Sequence, residues 1–115
     1  MDIETRQEDS ILLVKPLTKR LDAGNTSEFK NYMVDYILQG NMHIAIDLSE
    51  VAFMDSSGLS ALLSTLKTIS DRGRLVLFGV GPNVGKLFSI TRLDRGIFEI
   101  HEDKQSAVQS FKVVA

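Results

Sequence analysis

The chain contains no cysteine and no tryptophan, and only two prolines. Without cysteine there is no disulfide framework, no thiol nucleophile and no thiolate-ligated metal. Without tryptophan, and with aromatics at 7% of residues, the chain lacks the stacking platforms that hold single-stranded nucleic acid. An excess of one charge is missing too: 13 basic and 15 acidic side chains leave a net charge of -2. Nucleic-acid binders need a basic footprint to displace counterions from phosphates. The loose group Lys86, Arg92 and Arg95 is diluted by Asp94, so direct nucleic-acid binding is not expected. No apolar run approaches the ~20 residues a membrane span requires. The acidic opening, Met1-Asp2-Ile3-Glu4-Thr5, has no apolar run and is not expected to act as a secretory signal. A cytoplasmic protein without membrane association is expected. Its 115 residues suit one domain, 1–115, which buries roughly two thirds of its unfolded surface and folds without staples.

What is present is an alternation of apolar periods. Ile11-Leu12-Leu13-Val14, Met42 to Leu48 and Leu75-Val76-Leu77-Phe78 are short, nearly unbroken apolar runs. Such runs suit strands of a sheet covered by helices. Between them, Phe29, Met33, Tyr36 and Ile37 share one face of a helix beginning near Thr26 or Ser27. Leu59, Leu62, Leu63, Leu66 and Ile69 make a cleaner stripe that predicts a helix stopping at Gly73. Pro82 opens a predicted helix running to about Thr91, and another starts near Lys104 with Ala107, Val108 and Phe111 inward. Ile97 to Ile100 reads as a strand, and residues 3–7 form a hairpin with the Ile11 run, turning at Glu8-Asp9-Ser10. The predicted order is β-β-α-β-α-β-α-β-α, an α/β domain.

Several segments imitate catalytic motifs and fail on spacing. Gly81-Pro82-Asn83-Val84-Gly85-Lys86 sits where a phosphate loop belongs. The required first glycine is Val80, the magnesium-binding Ser or Thr is Leu87, and Pro82 removes a backbone donor. Gly79-Val80-Gly81 falls short of a dinucleotide fingerprint because Val84 replaces the third glycine. His43 and His101 lack the paired spacing of a metal site and are not expected beside a serine nucleophile. Asp47 ends a strand, as the phosphoacceptor of a receiver domain does, but the first apolar run ends in Val14-Lys15-Pro16 without the acidic pair that would bind magnesium. An enzyme is not expected, and no metal site or cofactor.

The segment that stands out is Phe53-Met54-Asp55-Ser56-Ser57-Gly58-Leu59, leading into the strongest helix. Asp and Ser cap helix N-termini by accepting from free N–H groups, each worth about 1 kcal/mol. One cap needs one residue, and here three polar residues stand in a row. A helix N-terminus also tolerates a phosphate, because its dipole and free donors face the anion. A phosphoserine adds about -1.5 to -2 charge, which would turn a docking patch anionic and bulky. The missing side chain at Gly58 is expected to leave Ser57 approachable, and Asp55 to repel the added phosphate.

Val51 to Leu59 resembles the signature of the STAS domain family, in particular of bacterial anti-sigma factor antagonists, around their phosphorylated serine. Leu21-Asp22-Ala23 is similar to the family's strand-to-helix loop, and Val84 to Asp94 to its third helix and following turn. The resemblance extends over essentially the whole chain. It implies a single STAS domain: a mixed, mostly parallel β-sheet with helices mainly on one side. It also implies that Ser57 is the phosphoacceptor, and that Asp22, Asn25, Asp55, Ser56, Ser57, Gly58 and Leu59 form the partner-binding site. The implied partners are a serine-kinase anti-sigma factor, bound while Ser57 is unphosphorylated so that a sigma factor is released, and a PP2C-type phosphatase that restores the complex. The kinase supplies nucleotide, so no cofactor is implied. The loop at Gly24 and Asn25 departs from the family pattern, which leaves the particular partner open. A constitutive scaffold or transporter-associated STAS domain is the alternative. Modification at Ser56 and self-association, as monomer or weak homodimer, stay open.

Overall fold

The computed structural model describes residues 1–112; residues 113–115 of the expected domain lie outside the described residues. The chain runs β1 (Ile3–Glu8), β2 (Ile11–Pro16), β3 (Arg20–Leu21), α1 (Thr26–Leu38), β4 (His43–Asp47), β5 (Phe53–Met54), α2 (Ser56–Ile69), β6 (Arg74–Phe78), α3 (Pro82–Ile90), β7 (Glu99–His101) and α4 (Lys104–Lys112). The main sheet has the order β1-β2-β4-β6-β7. Its β1–β2 hairpin is antiparallel and every other pair is parallel. None of the described helices is long and apolar enough to cross a membrane.

The apolar runs are continuous because both faces of the central strands are covered, and alternate residues serve opposite cores. Leu12, Val14, Ile44, Ile46, Leu75 and Leu77 face Phe29 and Met33 of α1, Leu59 and Leu62 of α2, and Val84 and Phe88 of α3. Ile11, Leu13, Ala45, Val76 and Phe78 point the other way, against Ala107, Val108 and Phe111 of α4. Three helices therefore share one face and α4 alone covers the other, matching the expected placement mainly on one side.

Two differences from the expected order have physical causes. The strands β3 and β5 are two residues each, too short to show any period, and they pair with one another in a separate parallel sheet. The α2 helix ends at Ile69 rather than at Gly73: Ser70 takes the left-handed turn (φ 38°) and a 3-10 turn spans Ser70–Arg72. Gly73 is extended there. Its missing side chain instead lets the chain pass against the Met42 carbonyl, which an added Cβ would overlap.

Candidate functional site

The small β3–β5 ladder is what builds the site. Lys19 accepts at its carbonyl from Ala52 N–H (2.8 Å) and Phe53 N–H (3.0 Å), and Leu21 accepts from Asp55 N–H (3.4 Å). The Arg20 guanidinium lies over the Phe53 ring, 4.3 Å from its centroid. These contacts bind the segment entering α1 to the segment entering α2, so that residues 22–25 sit beside residues 55–58.

The first segment is closed on itself. Asn25 Nδ2 donates to the Arg20 carbonyl (2.8 Å) while Asn25 Oδ1 accepts from Asp22 N–H (3.1 Å). Asp22 Oδ1 accepts from Gly24 N–H (3.0 Å), and its carbonyl accepts from Asn25 and Thr26. Asp22 and Asn25 were expected at the partner surface. The structure places them next to the α2 N-terminus with their polar atoms spent on holding this turn in shape, a local use that Asn and Asp favour.

In the second segment the consecutive residues Asp55 to Gly58 divide capping, exposure and packing among them. Asp55 is the N-cap: its Oδ1 accepts from Ser57 N–H (2.8 Å) and Gly58 N–H (3.1 Å). Its Oδ2 accepts from Ala23 N–H at 3.4 Å, a tie to the neighbouring loop. Capping is thus complete with one residue, and both serines are released from it. Ser56 is exposed and Ser57 half-buried, and among the described residues neither hydroxyl is held by a hydrogen bond. Gly58 faces inward. An added Cβ would overlap Met54 Cγ and come within 2.6 Å of the Leu21 carbonyl, so this glycine permits close packing of α2 on β3 and β5 rather than opening the approach to Ser57. Leu59, also expected at the partner surface, is 7% exposed and belongs to the core, because the helix turns it toward the sheet.

Ser57 opens onto a groove of about 450 Å³ between the two helices. Ser27 and Lys30 of α1 line one side, and Ser57, Ser60 and Ser64 of α2 line the other. None of Lys30, Ser60 or Ser64 was singled out from the sequence, and Ser27 entered only as a possible helix start. A signal existed, since serines at 57, 60 and 64 recur at helical spacing, but the leucine stripe on the opposite face of α2 dominates the pattern. The wall is polar, shallow and carries one cation, a surface suited to protein contact rather than to enclosing a small molecule.

The imitation motifs lie elsewhere and are accounted for by local structure. Pro82 occupies the first turn of α3 behind Gly81. Asp47 Oδ1 accepts from Ser49 N–H (2.9 Å), and Gly79 (φ +69°) has room for no Cβ beside that oxygen. His43 packs on Phe111, with ring centroids 5.3 Å apart. His101 pairs with Glu99 at 2.9 Å. Neither histidine lines the serine groove.

Comparison with known proteins agrees with this geometry. The STAS domain family profile matches residues 2–107. An anti-sigma-B factor antagonist of Staphylococcus epidermidis is 32% identical over 94 residues, covering 81% of this chain and 86% of that protein. Among solved structures, a Thermotoga maritima protein described as a candidate anti-sigma factor antagonist superposes with a TM-score of 0.91 at 26% identity, covering 96% of this chain and 95% of that one. The anti-sigma factor antagonist SpoIIAA superposes in its unphosphorylated form with a TM-score of 0.74 at 17% identity, covering 98% of this chain and 100% of that one. Bacillus SpoIIAA in its phosphorylated form gives 0.69 at 19% identity, over 96% and 99%; at such identities the likeness concerns the fold alone. With the profile spanning nearly the whole chain, and the two loops joined as the motifs require, this chain belongs to the STAS domain family.

Proposed function

We propose that this protein is an anti-sigma factor antagonist whose binding is gated by phosphorylation of Ser57. Unphosphorylated, it binds a serine-kinase anti-sigma factor through the surface around the α2 N-terminus, and a sigma factor is released. The kinase transfers a phosphoryl group to Ser57, the complex separates, and a PP2C-type phosphatase restores the hydroxyl. The observation that carries this reading is the free, partly exposed Ser57 hydroxyl beside a cap that does not need it. A serine retained for capping would have its oxygen engaged with backbone N–H groups. Here Asp55 has taken that duty.

The gating follows from charge. A phosphate at Ser57 lies near the carboxylates of Asp22 and Asp55, with Lys30 as the cation lining the same groove. It places about two negative charges on a groove wall made mostly of neutral hydroxyls with the single cation Lys30, and a partner shaped for those hydroxyls must then desolvate and face an anion. The kinase brings the nucleotide and catalytic groups, so the chain acts as substrate and ligand. A constitutive scaffold would have no use for the free hydroxyl.

Incubation with the cognate kinase and magnesium ATP should add one phosphate by intact mass, lost in Ser57→Ala. Calorimetry should find that Ser57→Asp weakens kinase binding while Ser57→Ala retains it. Equal affinities for the two variants would remove charge gating, and a phosphate gain persisting in Ser57→Ala would move the acceptor elsewhere.

A further inference from the structure

The outer edge of β1 is an open strand edge: it ends the sheet order, and Glu4, Thr5, Arg6 and Gln7 are all exposed. We infer that β1 pairs antiparallel with β1 of a second copy, centred on Thr5, to form a symmetric homodimer with one continuous sheet. The phase of the ladder is set by Leu17 N–H donating to the Asp2 carbonyl at 2.9 Å, one step beyond the Ile3–Pro16 pair. In an antiparallel ladder such bonding residues alternate. Asp2, Glu4, Arg6 and Glu8 therefore direct their backbone groups to β2, and Ile3, Thr5 and Gln7 direct theirs outward.

A second β1 must meet these outward groups with its own. Centring on Thr5 does so, placing Thr5 opposite Thr5 and Ile3 opposite Gln7 as hydrogen-bonded pairs. Glu4 then stands opposite Arg6 in both directions, in the closer, non-hydrogen-bonded positions where side chains interact most. A shift of two residues one way sets Glu4 against Glu4, and the other way Arg6 against Arg6. A shift of one turns outward groups against inward ones. Centring on Gln7 would also oppose unlike charges, Arg6 and Glu8, but it pairs only the end of the strand and Glu8 is already held by Lys104; the Thr5-centred register alone pairs Ile3 to Gln7 in full.

Both charges are available for it. Among the described residues neither Glu4 nor Arg6 takes part in an ion pair. Glu8, which comes opposite Asp2 at the ends, is already balanced by Lys104 at 3.5 Å. Charged residues on an edge commonly block pairing, but blocking is served by one repeated sign, and here the signs alternate in self-complementary order. The serine groove has no wall from β1, so the dimer leaves Ser57 open.

Sedimentation velocity across a concentration series tests this directly. The expected result is a concentration-dependent dimer that Arg6→Glu and Glu4→Arg each weaken roughly tenfold or more, since two attractive pairs become repulsive. An equimolar mixture of the two variants should recover the dimer, as should the double variant Glu4→Arg/Arg6→Glu. A wild-type protein that stays monomeric at millimolar concentration overturns the inference. So does a dimer that Arg6→Glu leaves intact, or a mixture of the two single variants that stays monomeric.

Discussion

Replacing Gly58 by alanine tests the close approach on which the site depends. In an exposed helix, alanine in place of glycine gains roughly 0.5–1 kcal/mol. At Gly58 the new methyl would overlap Met54 Cγ and stand 2.6 Å from the Leu21 carbonyl. Met54 can shift some way, but Leu21 is fully buried and its backbone is held in the β3–β5 ladder. The contact can then be relieved only by moving the start of α2 outward. Overpacking of that kind costs about 1–3 kcal/mol. Set against the propensity gain, the net loss is about 1–2 kcal/mol, a fall of roughly 5–10 °C in Tm for a domain of this size. Gly85, inside α3, is the internal control: its added Cβ would meet Val80 Cγ1 at an ordinary 3.6 Å. There the same substitution should raise stability by about 0.4–1 kcal/mol. Thermal unfolding followed by circular dichroism reads both. A Gly58→Ala protein as stable as wild type, or two variants shifted the same way, would refute the close-contact account of this glycine.

Two further substitutions test the cap and the acid response. Asp55→Ala removes the N-cap of α2 and its tie to Ala23, and should cost about 1–2 kcal/mol in urea unfolding; Asp55→Asn or Asp55→Ser should recover most of it. Burial pushes the Glu99 carboxyl up, but hydrogen bonds from His101 and Arg74, with the Arg74 and His101 charges, outweigh it and hold the group below its ordinary 4.5. A carboxylate lowered in the folded state stabilises above its unfolded pKa and loses that contribution as pH falls through the folded value. Wild type should therefore exceed Glu99→Gln in Tm near neutrality, the gap closing below about pH 4. Because Glu99 is 40% exposed, that gap should stay under about 1 kcal/mol. A gap that widens in acid contradicts the assignment.

Much of this fold was legible because its signals are periodic. The leucine stripe of α2 and the apolar runs of β4 and β6 announce themselves over four or more residues, and the helices begin close to the expected positions. The two-residue strands were invisible for the opposite reason: Arg20-Leu21 and Phe53-Met54 are strands only because residues 33 positions apart find each other, which no local pattern encodes. That long-range pairing also decides the site. Asp55 and Ser57 stood out in the sequence, but the tie from the Asp55 cap to the Ala23 amide of the neighbouring loop is tertiary. Gly58 and Leu59 show the same limit. The motif placed them at the site, and only packing reveals that they face inward.

The division of work between Asp55 and Ser57 makes a physical demand on any phosphate added there. A helix N-terminus usually draws an anion into its free N–H groups. In α2 those of Ser57 and Gly58 already bond the Asp55 carboxylate, and Leu59 N–H bonds the Asp55 carbonyl at 3.2 Å. To enter that nest, a phosphate on Ser57 would have to displace a carboxylate fixed to both loops. It must instead remain over the groove, facing whatever docks. Under the proposed function, modification should therefore leave the backbone nearly unchanged and alter the surface alone. Amide chemical shifts should move around residues 22–30 and 55–64 but not in β4 or β6, and Tm should shift by less than about 4 °C, the equivalent of under 1 kcal/mol. In Asp55→Ala the donors are freed, the phosphate can fold back onto them, and phosphorylation should stabilise that variant while weakening partner binding less than in wild type. Wild-type shifts spreading through the sheet on phosphorylation would mean that the gate works by refolding, and that the cap does not insulate it.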